Sequence, residues 1–202
     1  MLPRIGQIVS QREIAARWSF AEITGRFASE YIAAHRDRLS SDLIAKIQGG
    51  ALYDELDEGE RELLSHWFDT GYRKDYARAL NGRYDSFRCE SWTKSQLARV
   101  HTLPVIDPLE QGRSLAFLSY LAHPRHRLPN GDLEVRDAAV AADSIPIDTP
   151  FAQKEPLVIG HWDDGKLTLW EGNFRAVLFA RTADPAAQVL VWMPHEGRWP
   201  AK

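Results

Sequence analysis

A single cysteine, Cys89, stands in 202 residues, which leaves no partner for an internal disulfide and rules out a multi-cysteine zinc or iron-sulfur site. A large excess of one sign of charge is also lacking. The formal net charge is -3 and the pI about 6.2, so no bulk attraction to nucleic acid is expected and any such binding needs a local patch. Long apolar runs are missing too. The opening "MLPRIGQIVSQREIAARW" lacks the apolar core of a secretory signal, and no later stretch approaches the roughly 20 apolar residues that span a bilayer. These absences lead to the expectation of a reducing, cytoplasmic setting with no membrane span, and they leave docking on a membrane complex open. No internal repeat or low-complexity segment is seen.

What is present is a large apolar and aromatic inventory. A hydrophobic fraction of 44%, with seven Trp and eight Phe, is that of a folded chain. The length suits one generous domain, or a smaller domain with an extension, and is enough to bury a full core without staples.

The first eighty residues read as helices. Ile14, Trp18 and Ala21 recur at helical spacing, as do Ile23, Phe27, Tyr31 and Ala34. "SSDLIAKIQGG" is a short helix with Ser40 or Ser41 as cap and Gly49 and Gly50 as stop. Asp57 and Glu60 form a capping box for a helix carrying Leu63, Leu64, Trp67 and Phe68, interrupted at Gly71. A further helix with Tyr72, Tyr76 and Leu80 ends at Asn81 and Gly82. Residues 1–84 are accordingly read as a helical N-terminal region packed on the core.

Residues 85–202 change character, with frequent proline and short β-branched or aromatic runs between turns. "LPVIDP" reads as a strand, and 113–123 as a helix with Leu115, Leu118 and Leu121 on its apolar stripe. "HPRHRLPNGD" is a loop. "EPLVIGHWDDGKLTLWEG" is a β-hairpin, "FRAVLFART" a short helix and "AQVLVWMP" a last strand. The fold class expected is α+β.

The stretch "LTLWEGNFRAVLFAR" carries the strongest chemical signal. Leu167 and Leu169 alternate with Thr168 and Trp170 as in a half-buried strand, Gly172 permits a turn that side chains resist, and a helix starts near Asn173 or Phe174. The free N-H groups of a helix start carry partial positive charge, and Arg175 adds a bidentate donor, so the turn is suited to a phosphate. The plainer alternative is a glycine that only reverses the chain and an arginine that reaches solvent.

A proline-led strand, a "DG" turn, a second strand and Gly-x-x-Arg at the head of a helix resemble the ParB and sulfiredoxin superfamily. Here that pattern spans residues 155–180, with Gly172, Asn173, Phe174 and Arg175 as the box, and a strand at 189–193 comes next, where the superfamily places one. The resemblance implies a ParB/sulfiredoxin-like mixed sheet with helices over 85–202, preceded by the helical region, and a nucleotide pocket formed by Gly172, Asn173 and Arg175. Within the superfamily, size and layout are similar to the plasmid-encoded fertility-inhibition proteins of the Osa type. That likeness implies an ATPase and DNase that blocks conjugative, type IV secretion DNA transfer. ATP would be the cofactor and Mg²⁺ a candidate companion. DNA, and a coupling protein or substrates of the secretion system, would be the partners. Sulfiredoxins carry their catalytic cysteine where Asn173 stands and Cys89 is distant in sequence, so sulfinic acid reduction is not expected. Partition proteins have Glu and Arg in place of Asn173 and Phe174, which argues against clamp-forming CTP hydrolysis. These departures keep a second class open, a non-catalytic inhibitor that binds DNA or part of the transfer machinery. A small-metabolite kinase is a third.

Other residues with chemical potential each have a structural alternative. Phosphodiester cleavage needs a group to activate water, and Glu171 beside the box is the nearest candidate, equally readable as a carboxylate favouring the helix start. Arg175 and Glu171 are thus the candidate catalytic pair. Ser114, with Arg113, lies near the start of the 113–123 helix, where the resemblance implies upstream phosphate contacts; the alternative is a cap or a side chain facing solvent. Asp163 and Asp164 fit the hairpin turn better than a metal site. His123, Arg125, His126 and Arg127 form a cationic loop that either touches a DNA backbone or is simply solvated. Trp192, His195 and Trp199 are candidates for base stacking, with Trp192 more simply core.

Overall fold

The computed structural model describes residues 2–25, 28–34, 38–71, 77, 80, 82–102, 155–161, 165 and 167–197. The protein is mixed α+β, with a mixed sheet and six α-helices among the described residues. The chain divides into two compact units. The first comprises residues 1–3, 7–88 and 194–199; the second comprises 4–6, 89–193 and 200–202.

The first unit is built on helices. Strand β1 (Ile8–Ser10) runs into α1 (Gln11–Thr24), whose start is fixed by the Ser10 hydroxyl accepting the Glu13 N-H at 3.2 Å. From Ile14 to Phe20 every residue of α1 is buried, so it is a central helix rather than one with a single apolar stripe. Helix α2 (Ala28–Ala34) contributes Tyr31, and α3 (Ser41–Gln48) contributes Leu43 and Ile47. A turn of 3-10 helix, Tyr53–Glu55, precedes α4 (Glu58–Thr70). The Asp57 and Glu60 side chains accept each other's backbone N-H at 2.8 Å, a reciprocal box that satisfies two donors of the α4 start. Phe20, Ile23, Leu64 and Trp67 meet the α3 residues in one apolar cluster, and Trp18 lies 5.0 Å from Phe68 between ring centres. Burying side chains of this size stabilises by about 1.5–3 kcal/mol each.

Strand β2 (Tyr84–Thr93) pairs antiparallel with β1, Ile8 facing Arg88. In the second unit, helix α5 (Lys94–Leu97) starts from a Thr93 and Gln96 box and leads to β3 (His101–Thr102). Strands β4 (Leu157–His161) and β5 (Leu167–Glu171) pair antiparallel, with a register irregularity at Val158/Ile159. Helix α6 (Asn173–Thr182) is next, then β6 (Gln188–Gly197). Strands β3 and β5 are parallel, as are β4 and β6, and hydrogen bonding orders the strands β1-β2-β6-β4-β5-β3. Strand β4 has neighbours on both edges and buries Leu157, Val158 and Ile159 in succession, as an interior strand covered on both faces does.

Most local expectations hold. Ser40 caps α3 by accepting the Leu43 N-H at 3.1 Å, Gly49 ends it, and the Asp57 box and the Gly71 stop are present. The hairpin, the helix after Gly172 and the last strand also stand where expected. The differences lie where partners decide. Ile23 belongs to α1, which stops at Thr24. Strands β1 and β2 were not legible because β1 has three residues and β2 carries Asp85, Arg88 and Glu90; β1 is held by pairing with Ser86, Phe87 and Arg88, and β2 lies between β1 and β6. Leu63 is exposed, at the edge of the face of α4 that buries Leu64, Trp67 and Phe68. Tyr72, Tyr76, "LPVIDP", the 113–123 helix, the "HPRHR" loop, Asp163, Asp164 and Trp199 lie outside the described residues.

Candidate functional site: the turn between β5 and α6

The turn is made by one glycine. Gly172 caps α6 with φ +94°, a left-handed conformation that side chains resist. A side chain there would also have to displace its neighbours. A Cβ there would lie 2.5 Å from the Leu157 Cδ2 and 3.2 Å from a terminal nitrogen of Arg175. The first helical bond runs from the Ala176 N-H to the Gly172 carbonyl at 2.8 Å. Gly172 offers no side-chain oxygen to the N-H groups of the first turn, which have no partner inside the helix by geometry. Such an end carries partial positive charge.

A cation in the first turn of a helix opposes that charge, so Arg175 needs a reason to be there. Its guanidinium folds back over Gly172. One terminal nitrogen donates to the Glu155 backbone carbonyl and the other to the Glu171 carboxylate. The ion pair is mostly withdrawn from water, with side-chain exposures of 20% for Arg175 and 16% for Glu171. Glu171 is the last residue of β5 and Glu155 immediately precedes Pro156 and β4, so the guanidinium ties both strands of the hairpin to the start of α6.

Of the residues singled out from sequence, Glu171, Gly172 and Arg175 come together. Asn173 is the first residue of α6. Ser114 and Arg113 lie outside the described residues. Trp192 is buried in β6 and serves the core, whereas His195 is exposed on the same strand. Two participants escaped the sequence reading. The Glu155 carbonyl is a backbone group with no sequence signal, and Leu157 reads only as an apolar strand residue.

A second polar cluster, in the helical unit, was also missed. Arg17 is buried on α1 and its guanidinium reaches Glu13 and Asp54, each at 3.1 Å. The Tyr53 hydroxyl donates to the other Glu13 oxygen at 2.9 Å, and the guanidinium carbons of Arg17 and Arg61 lie 4.1 Å and 5.1 Å from the Tyr53 ring centre. Burial, then the Glu13 charge and hydrogen bond, push the Tyr53 phenol far above its ordinary range against the opposing pull of the two arginines. The Glu13 to Arg17 spacing of four on one helix was the available signal.

Among the described residues no group of three or more His, Cys, Asp or Glu is placed to hold a metal ion, and no helix is long and apolar enough to cross a membrane. No protein-family model, curated protein or solved structure matches this chain.

Proposed function

We propose that the turn formed by Glu171, Gly172 and Arg175 binds the phosphates of a nucleotide, in a cytoplasmic ATPase and DNA nuclease of the ParB/sulfiredoxin type that inhibits conjugative DNA transfer. The observation that carries the reading is a left-handed glycine cap at the head of a ten-residue helix with an arginine folded over it. Helix-end N-H groups and a guanidinium are two donor types that bind phosphates. In this reading Gly172 lets the phosphate approach the backbone, Arg175 holds it, Asn173 and Ser114 supply further contacts, and Glu171 activates water once released from Arg175. ATP is the nucleotide, with Mg²⁺ to neutralise charge on its phosphates. DNA and a component of a type IV secretion system are the partners. The test is cleavage of single- and double-stranded DNA by the purified chain, with and without ATP and Mg²⁺. Loss of cleavage in Arg175→Ala is expected, and equal cleavage by that variant removes the turn from the mechanism.

A second reading is favoured by one observation, that Arg175 and Glu171 already satisfy each other. In it the chain inhibits transfer by binding DNA or a transfer component, and the turn is purely structural. Absence of thermal stabilisation by ATP, CTP or ADP favours this reading.

A further inference from the structure

We draw no further inference here: the strongest candidate, the surface patch at the outer edge of the sheet where Ile8 of the three-residue strand β1 stands 52% exposed, carries nothing because no observation in the structure shows what covers it.

Discussion

Two arginines in this chain share one sequence pattern, a glutamate four residues earlier, and the structure puts the pattern to different uses. Glu13 and Arg17 lie within a single helix, and Arg17, with a side chain only 6% exposed, also engages Asp54 and the Tyr53 ring. Glu171 and Arg175 straddle a strand end and a helix start, with a backbone carbonyl as third member. A buried guanidinium with three kinds of partner is a fixed structural tie, since freeing any one partner leaves charge out of water. A guanidinium at a turn, held by a strand-end carboxylate and a backbone carbonyl, instead joins two strands to the start of a helix. Spacing alone therefore does not say which elements such a pair connects.

The largest effect is expected at the turn's backbone. Gly172→Val combines left-handed strain with overlap onto Leu157 and should destabilise by about 4 kcal/mol, read from denaturant melts. A loss below about 1 kcal/mol would show that the turn relaxes easily and is no rigid frame for Arg175. Next is Arg17→Met, expected to cost about 2 kcal/mol. That is below the usual figure for a broken buried pair because Asp54, with a side chain 47% exposed, is screened by water. Arg175→Met should cost about 1 kcal/mol, leaving Glu171 free to turn outward. Equal melting losses for the two arginines would erase the contrast between them, as would loss of MgATP binding in Arg17→Met.

The smallest effect at neutral pH belongs to Tyr53→Phe, under about 1 kcal/mol for one hydrogen bond to Glu13. Its pH dependence is more telling. The folded phenol titrates above the unfolded value of 10.0, so above that value the unfolded state gives up the proton first. The phenol's contribution is then complete below pH 10 and is lost as pH rises further. Melts of wild type from pH 9 to pH 11 should fall more steeply than those of Tyr53→Phe. Parallel curves would mean that the phenol ionises freely in the folded chain.

Local punctuation was the most legible part of the sequence. Ser40, Asp57 with Glu60, Gly71 and the turn at Gly172 mark helix ends through groups within four residues of one another, and such short-range chemistry is written in order along the chain. The hairpin of β4 and β5 was visible for the same reason. Strand β2 was not, because Asp85, Arg88 and Glu90 dilute its apolar positions and its strand character comes from lying between β1 and β6 in the sheet. At the candidate site Glu171, Gly172 and Arg175 were legible as a strand, a turn and a helix start. The Glu155 carbonyl was not, since any residue has one and only the path of the chain brings it to Arg175.

Residue order by itself determined the α+β class, the caps, and the need for glycine at a left-handed turn. The partners of Arg17 and Arg175 were settled only by folding. Hydrogen bonds and ion pairs between groups 20 or 37 residues apart, such as Arg175 with Glu155 and Arg17 with Asp54, depend on where strands and helices are carried by the packing of their apolar faces. That packing is a property of the whole core, and no short stretch of sequence contains it.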